Sequence, residues 1–326
     1  MKVLILGGGG VFALHFARYM LEQNSVSNVI SVGRSPVAIS AFSLDVGDND
    51  ARYEYHQIHI TFEHERLWEL IEDKKPNLIV NFAALAYATS WDRAQHYYDT
   101  NVTAVAKIVD KLQHVDWFDR FIQIGTSELY GSVDKPACEY APLNPTSPYA
   151  VSKLAADMHL NTMFNVRQFP MNILRPSNAY GPGQLLYRIM PKAIYSGLNN
   201  IQMPLEGGGK VRKSFMHATD IARALLIIYN KAQMGETYNV GPENPITIKE
   251  IVNKIAIKFN KSLEEFIKIT DGRIGEDMQY WLNSDKIKKI GYSESINIDD
   301  GIEDMFQWGM KYKSSLPKPD KFILRA

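Results

Sequence analysis

Tyr149 and Lys153 are the two side chains whose types and spacing most directly suggest chemistry. They form a Tyr-x-x-x-Lys pair inside a stretch, Tyr149 to Phe164, that predicts a helix. Residues four apart lie on the same face of a helix. An ammonium group close to a phenol lowers the pKa of the phenol, so Tyr149 could serve as a base near neutral pH.

A polar run earlier in the chain, Thr126 to Glu128, adds a second reactive group. It follows an apolar stretch, Arg120 to Ile124, that predicts a strand. Ligands bind at the carboxyl ends of strands in an open parallel sheet, so this run is well placed to meet the Tyr–Lys pair. The alternative is that Glu128 is a buried carboxylate satisfied by backbone N–H groups. The candidate catalytic residues are Thr126, Ser127, Glu128, Tyr149 and Lys153.

A glycine-rich turn marks a candidate cofactor site. Gly7 to Gly10 lie between an apolar run, Val3 to Leu6, and a helical stretch that begins at Phe12. Glycine at this point lets backbone N–H groups approach a pyrophosphate at a helix N-terminus. The alternative, a glycine-rich turn without a ligand, is disfavoured by the position between a strand and a helix.

The end of the second predicted strand indicates which dinucleotide would bind. An NAD enzyme usually places Asp or Glu there to accept from the ribose 2′-hydroxyl. This chain has no carboxylate at that point and continues with Arg34 and Ser35. A forked guanidinium suits a 2′-phosphate, and Ser35 can donate to it. We therefore expect NADP(H) rather than NAD(H), the alternative being that Arg34 is a solvated surface residue.

The composition is that of a globular chain with no charge imbalance. Of 326 residues 45% are hydrophobic, and 36 basic residues balance 36 acidic ones. A net charge of zero gives no general electrostatic reason to bind nucleic acid or an acidic membrane. The single cysteine, Cys138, excludes an intrachain disulfide and a cysteine-built zinc site, and the histidines lack metal-ligand spacing, so we expect no metal site.

The first residues, Met1 to Leu6, imitate the start of a signal peptide. The glycines that follow do not suit the apolar centre of one. No run of roughly 18 apolar residues predicts a membrane span. We expect a cytoplasmic protein.

Short apolar runs alternate with helical stretches over the first half of the chain. This alternation predicts an α/β fold with a Rossmann-type, doubly wound parallel sheet. The predicted strands are Val3 to Leu6, Asn28 to Val32, Asn77 to Phe82, Arg120 to Ile124 and Asn172 to Arg175. The predicted helices are Phe12 to Gln23, Glu65 to Asp73, Trp91 to Gln113 and Tyr149 to Phe164.

Proline and glycine break this rhythm from about residue 175. We expect a smaller, mixed α/β lobe there, with the chain crossing back into the first domain at least once. The predicted cofactor domain is residues 1–174 plus a return segment near 213–240. The predicted substrate lobe is residues 175–212 and 241–326.

Further stretches carry a family resemblance over nearly the whole chain. They are Asn81 to Ala84, Thr100 to Val102, Thr126 to Gly131, Ser147 to Lys153, Arg175 to Pro182, Arg212 to Asp220, Tyr238 to Gly241 and Arg273 to Gly275. Together with the N-terminal glycines they resemble the extended short-chain dehydrogenase/reductase family, the nucleotide-sugar epimerases and dehydratases.

The resemblance implies roles for individual residues. Tyr149 would remove the C4 hydroxyl proton of a hexose while hydride leaves C4, Thr126 would hydrogen-bond that hydroxyl, and Lys153 would hold the nicotinamide ribose. The implied cofactor-binding residues are Gly7, Gly10, Val11, Phe12, Arg34, Ser35, Ala83, Ala84, Asn101, Tyr149 and Lys153. The implied contacts to the nucleotide-diphosphate sugar are Asn178, Arg212 and Arg273.

Glu128 would determine the reaction step after oxidation at C4. A 4-keto sugar has an acidic C5 proton, and a carboxylate can remove it while water leaves from C6. The Thr-Ser-Glu run resembles that of the GDP-mannose 4,6-dehydratase subgroup, which also favours NADP. The resemblance therefore implies an NADP-dependent nucleotide-sugar 4,6-dehydratase. It also implies a homodimer or tetramer, formed by pairing the helices predicted at 91–113 and 149–164.

Some residues depart from the family pattern and keep alternatives open. Ala86-Tyr87 stand where dehydratases usually have Ser-His, and His59 replaces the usual adenine-binding Asp. An NADPH-dependent 4-ketoreductase, a 4-epimerase and a decarboxylase are the alternatives among enzymes, although decarboxylases typically have Arg where Gly183 stands. A cofactor-sensing protein without activity is the alternative outside enzymes, and the intact Thr126, Tyr149 and Lys153 set argues against it.

Overall fold

A computed structural model describes residues 1–86, 93–272 and 278–318 of the chain. The strands within these residues are β1 Lys2–Leu6, β2 Asn28–Gly33, β3 Tyr53–Gln57, β4 Leu78–Asn81, β5 Arg120–Ile124, β6 Met171–Pro176, β7 Asn178–Tyr180, β8 Met203–Glu206, β9 Arg212–Lys213, β10 Phe215–His217, β11 Thr237–Val240, β12 Ile246–Thr247, β13 Ile267–Thr270 and β14 Gln279–Tyr280. The α-helices are α1 Val11–Leu21, α2 Ser40–Ser43, α3 His64–Lys74, α4 Ala94–Tyr98, α5 Ala104–Leu112, α6 Pro148–Arg167, α7 Ile189–Leu198, α8 Ala218–Lys231, α9 Ile248–Lys258, α10 Leu263–Phe266, α11 Asp285–Lys289 and α12 Ile298–Tyr312.

Seven parallel strands form the central sheet, in the order β11-β6-β5-β4-β1-β2-β3. Leu4 of β1 stands opposite Ile30 on one side and Ile79 on the other, and all three are buried. The strand order reverses on either side of β1, which leaves a crevice at the carboxyl ends of β1 and β4. This crevice is where a doubly wound sheet binds its ligand.

Helices cover both faces of this sheet. On one face, Phe16 of α1 and Leu225 of α8 belong to one buried apolar cluster. On the other face, Leu67 of α3, Val105 of α5 and Leu160 of α6 belong to another. The predicted Rossmann-type α/β fold is confirmed, because strands covered on both faces need apolar side chains throughout.

The edge strand β3 is an element that the sequence pattern does not reveal. Its sequence, YEYHQ, carries no apolar run, and its side chains are only partly buried. An edge strand has one unpaired side, so its burial pattern is weak. The helix predicted from Trp91 to Gln113 is also divided, with α4 and α5 joined by a π-helical turn at Asp99–Thr103. Trp91 itself lies outside the described residues.

The chain after β6 builds smaller sheets and then returns to the large one. Strand β11 pairs with β6 as the last strand of the central sheet, and α8 packs beside α1. Helices α7, α9 and α12 share a separate apolar cluster that includes Ile194, Ile255 and Trp308. No helix among residues 1–86, 93–272 and 278–318 has the length and apolar character needed to cross a bilayer.

Candidate active site

The turn after β1 is tightly packed against the turn after β4. Gly7 has φ +79°, and a Cβ there would stand 2.6 Å from the backbone nitrogen of Ala83. Gly10 donates from its N–H to the Gly7 carbonyl at 2.9 Å and is the N-cap of α1. A side chain at residue 7 is thus excluded from the turn in front of α1. The first turn of this helix, which includes Val11 and Phe12, presents its backbone N–H groups there. This cradle fits the pyrophosphate of a dinucleotide.

The turn after β2 presents Arg34 and Ser35 at the same edge of the sheet. Both side chains are exposed, and no carboxylate stands at the strand end. Their backbone carbonyls are held by β3, because the Gln57 Nε2 donates to the Arg34 carbonyl at 3.2 Å and the Tyr55 hydroxyl donates to the Ser35 carbonyl at 2.6 Å. The positions predicted to contact a ribose 2′ group therefore lie free of protein side-chain cover.

Asn101 joins the loop after β4 to α6. Its Oδ1 accepts from the Leu85 N–H at 2.9 Å, and its Nδ2 donates to the Leu85 carbonyl at 3.1 Å and to the Ser152 Oγ at 2.9 Å. The π-helical turn places this side chain in the interior, where it is 1% exposed. Protein groups occupy its amide, so the structure favours a positioning role over the cofactor contact predicted for it. Ala83 and Ala84 lie in the loop that it holds.

Helix α6 brings Tyr149 and Lys153 to the carboxyl end of β5. The helix begins at an N-cap, Ser147, whose Oγ accepts from the Ala150 N–H at 3.1 Å. Both reactive side chains are buried, and the Lys153 Nζ donates to the Ile124 carbonyl at 2.5 Å. Burial lowers the pKa of Lys153 to about 8. The predicted pair is thus assembled at the strand end where Thr126 follows.

The pKa of Tyr149 differs from the expectation. The sequence predicts a lowered value, whereas burial, followed by the negative charge of Glu128, raises the pKa of this phenol. A hydrogen bond with the Thr126 side chain and the positive charge of Arg188 act to lower the pKa. The physical reason for the difference is that the hydroxyl has lost its water while a carboxylate lies nearby. Tyr149 is therefore a neutral phenol at physiological pH.

Glu128 stands on a 3₁₀ turn, Ser127–Tyr130, directly after Thr126. Its N–H donates to the Thr126 Oγ1 at 3.2 Å, which fixes the start of the turn. Glu128 is only partly buried, whereas Ser127 is 4% exposed. The structure therefore brings Thr126, Glu128 and Tyr149 together, with the carboxylate close enough to act electrostatically on the phenol. The burial of Ser127 indicates a packing role in this turn.

A buried polar chain behind the site was not apparent from the sequence. The Arg175 Nε donates to Asp157 Oδ2 at 2.9 Å, and its Nη1 donates to the Tyr130 hydroxyl at 2.9 Å. The Tyr130 hydroxyl in turn donates to Asn239 Oδ1 at 2.9 Å. This series of hydrogen bonds links α6, β6, the turn that carries Glu128, and β11. The Asp157 position, four residues after Lys153, is the only local signal that could have revealed it.

The predicted substrate contacts Asn178 and Arg212 lie on separate short strands, β7 and β9. Asn178 begins β7, and its buried Oδ1 accepts no hydrogen bond within the described residues. Arg212 is exposed on β9, where its Nη2 donates to the Pro245 carbonyl at 2.9 Å. Arg273 and Tyr87 lie outside the described residues. Arg188, which no motif indicated, adds positive charge near Tyr149.

Comparison with known proteins agrees with this geometry. The family model described as GDP-mannose 4,6 dehydratase matches residues 4–305. The chain belongs to that family. The dTDP-D-glucose 4,6-dehydratase of Bos taurus is 30% identical over 314 residues, which cover 94% of this chain and 88% of the relative. The recognition of an extended short-chain dehydrogenase/reductase, and of an enzyme, is confirmed.

Two solved structures share the fold over almost the whole chain. The dTDP-glucose 4,6-dehydratase of Bacillus anthracis, in complex with NAD, has a TM-score of 0.87 and 27% identity, with 97% of this chain and 98% of that chain covered. DesIV, a dTDP-glucose 4,6-dehydratase of Streptomyces venezuelae with NAD bound, has a TM-score of 0.89 and 25% identity, with 96% and 98% covered.

Proposed function

We propose that this enzyme is a nucleotide-sugar 4,6-dehydratase that acts through a transient 4-keto hexose. One observation carries the proposal, namely that Thr126, whose side chain hydrogen-bonds Tyr149, also fixes the start of the turn on which the Glu128 carboxylate stands. Oxidation at C4 needs the tyrosine, whereas elimination of water needs a second base. The dehydratases similar to this chain favour the same reaction class.

Tyr149 would accept the C4 hydroxyl proton, with Thr126 holding the reacting hydroxyl. Because its pKa is raised, Tyr149 needs added positive charge to act as a base, and Arg188 already acts in that direction. The Lys153 ammonium has three donors, of which the Ile124 carbonyl uses one, so two remain for a ribose hydroxyl and the phenol oxygen. A nicotinamide cofactor bound at the glycine-rich turn would supply the hydride acceptor for C4 and return the hydride to C6.

Glu128 would then remove the C5 proton of the 4-keto hexose. The electron pair of the broken C5–H bond forms a C5–C6 double bond, and the C6 hydroxyl leaves with a proton as water. Hydride addition to C6 and a proton to C5 give a 4-keto-6-deoxy hexose with no net redox change. A partly exposed carboxylate suits this step, since it must both take up and release a proton.

We assign NADP(H) as the preferred cofactor, although NAD occupies the two similar solved structures. Arg34 and Ser35 are exposed at the end of β2, and a hydrogen bond to a charged group contributes on the order of 1.5–3 kcal/mol, roughly one to two decades in affinity. Calorimetric titration should show tighter NADP⁺ than NAD⁺ binding. Arg34→Gln should weaken NADP⁺ alone, and equal or tighter NAD⁺ binding by the wild type would contradict the assignment.

The substrate we propose is a nucleotide-diphosphate hexose. Asn178 is partly exposed and its Oδ1 is the buried end of the amide, so the Nδ2 group is available to donate to a phosphate. Arg212 and Arg273 supply positive charge for a diphosphate. Incubation with GDP-, dTDP-, UDP- and CDP-hexoses, followed by NMR of the products, should give a 4-keto-6-deoxy sugar from one of them. Formation of a 4-epimer, or NADPH oxidation by an added 4-keto sugar without dehydration, would contradict the proposal.

A further inference from the structure

Tyr55 fills the space at the end of β2 where other dinucleotide enzymes keep a carboxylate. It stands on β3 opposite Ser31 of β2, and the residue opposite Gly33 is Gln57. A Cβ built on Gly33 would lie 2.3 Å from the Tyr55 hydroxyl oxygen, and one built on Gly9 would lie 3.1 Å from it. The phenol tip is therefore wedged between the glycine-rich turn and the end of β2. A side chain at residue 33 cannot occupy that space while Tyr55 does.

The same hydroxyl also holds the turn after β2. It donates to the Ser35 carbonyl at 2.6 Å, and the Gln57 Nε2 donates to the Arg34 carbonyl at 3.2 Å. Burial raises the pKa of Tyr55, so the hydroxyl stays a neutral donor over the physiological range. Two carbonyls of the turn are thus tied to β3, while the Arg34 and Ser35 side chains remain exposed.

We propose that Tyr55 determines the cofactor preference of this enzyme. It excludes a carboxylate from residue 33, and it holds Arg34 and Ser35 in the orientation that meets a ribose 2′-phosphate. This inference deepens the proposed preference for NADP(H) and rests on it. Tyr55 acts here as a positioning residue, since its hydroxyl is engaged by the Ser35 carbonyl.

The test places a carboxylate at residue 33 with and without Tyr55. Calorimetric titrations with NADP⁺ and NAD⁺, in the absence of any sugar, compare wild type, Gly33→Asp, Tyr55→Ala and Gly33→Asp/Tyr55→Ala. Gly33→Asp alone should gain less than about threefold in NAD⁺ affinity, because its Cβ meets the phenol oxygen. The same substitution should gain about tenfold or more when compared with Tyr55→Ala. The nearest neighbour of the aspartate Cβ is then the Gly9 backbone nitrogen at 3.2 Å, so the carboxylate can make a charge-assisted bond to the ribose once the backbone yields by a few tenths of an ångström.

The tip of a side chain can move, which gives the test its opposite outcome. If the phenol swings aside, Gly33→Asp raises NAD⁺ affinity equally in both backgrounds, and the exclusion of a carboxylate by Tyr55 is wrong. A wild type that prefers NAD⁺ contradicts the NADP(H) assignment, yet the comparison of the two backgrounds still decides the effect of Tyr55. The two failures are therefore distinguishable.

Tyr55→Phe tests the hydrogen bond separately, because it keeps the ring and removes only the hydroxyl. The ratio of NADP⁺ to NAD⁺ affinity should fall about two- to tenfold, the weight of one neutral hydrogen bond. Gln57→Leu, which releases the Arg34 carbonyl, is the matched variant on the same strand and should lower the ratio in the same direction. Far-ultraviolet circular dichroism and thermal unfolding confirm the fold of each variant. An unchanged ratio in Tyr55→Phe would overturn the positioning role.

Discussion

Tyr149 and Glu128 are separate bases in the proposed reaction, and single substitutions can separate them. Tyr149→Phe should abolish every step, including hydride exchange with the cofactor, because all chemistry begins at C4. Glu128→Gln should lower turnover by roughly two to four decades, the usual contribution of a positioned general base. It should also let a 4-keto hexose and reduced nicotinamide accumulate, which absorbance detects during a single turnover.

The control for this pair of variants is substrate binding, since Glu128→Gln is nearly isosteric and should leave the fold and the dissociation constant unchanged. Full activity in Glu128→Gln would mean that elimination is not the chemistry. A 4-epimerase or a 4-ketoreductase would then be the better account, because each needs only the tyrosine.

The sequence reveals, at the residue scale, chemistry that is local in the chain. The Tyr-x-x-x-Lys spacing and the glycine-rich turn are visible because their members are neighbours in sequence. Arg188 and Tyr55 reach the site from distant elements, so no spacing indicates them. The pKa of Tyr149 was predicted in the wrong direction because burial and the neighbouring carboxylate depend on packing.

At the scale of elements, the pair of Arg175 and Asp157 joins β6 to α6 beneath the reactive groups. Both side chains are almost fully buried, and the Arg175 Nε to Asp157 Oδ2 distance is 2.9 Å. Removing one member of a buried ion pair costs about 3–5 kcal/mol, because the other charge loses its partner; here Asp157 would keep only the charge of Lys153 nearby. Arg175→Met should therefore lower the free energy of unfolding by roughly that amount in urea titrations.

The matched control is an exposed ion pair, Lys254 with Asp299 at 2.7 Å, which links α9 to α12. Exposed pairs contribute about 0–1 kcal/mol, so Lys254→Met should change the free energy of unfolding little. If Arg175→Met lowers the free energy of unfolding as little as Lys254→Met does, the Arg175–Asp157 ion pair does not hold β6 and α6 together.

Elements differ in how far the sequence predicts them, and burial explains the difference. The strand Arg120–Ile124 was predicted with the observed bounds, because a central strand covered on both faces reads as an apolar run. The edge strand β3 was missed, since its partly buried side chains give no such run. The π-helical turn that carries Asn101 has no sequence signature, and only the packed structure shows it.

At the scale of the whole molecule, His15 connects α1 to the chain after β7 and to α12. Its Nε2 lies 3.0 Å from the Pro182 carbonyl, so this nitrogen carries the proton. Burial lowers the pKa of His15 from 6.5 to about 4, against the hydrogen bond to Pro182, which raises the pKa; the smaller effects of His217 and Arg18 lower the pKa, and that of Asp304 raises it. The unfolded chain therefore takes up this proton below pH 6.5, while the folded chain resists it until about pH 4.

The sign of this linkage gives a pH-dependent stability. The contribution of neutral, buried His15 to the free energy of unfolding is fully present above pH 6.5. It is lost as the pH falls toward 4, and about 2 kcal/mol of it is lost by pH 5. Urea titrations of the wild type at pH 7 and pH 5 should show this decrease in the free energy of unfolding. In His15→Gln the decrease between the two pH values should be about 2 kcal/mol smaller. The same pH dependence in both proteins would contradict this role for His15.

Assembly is the property of the whole chain that depends on its surface. The dimer that the family resemblance implies would pair α6, and the stretch from α4 to α5, with those of a second copy. In the structure Val151 and Met158 stand seven residues apart on α6 and are 38% and 60% exposed, and Tyr98 of α4 is 38% exposed. Side chains seven apart share one helical face, so these apolar groups suit a helix-to-helix contact.

Light scattering at micromolar concentration should therefore give at least twice the mass of one chain. A charge placed in a buried helix contact cannot be solvated, so Met158→Glu should shift the protein toward the monomer. Ile257→Glu is the matched control, because Ile257 is also 60% exposed but lies on α9, away from the proposed interface. Monomeric wild type, or equal dissociation by both substitutions, would contradict the pairing. A dimer that Met158→Glu alone disrupts would place the contact on α6, the helix that also carries Tyr149 and Lys153, so that assembly and the active site depend on the same element.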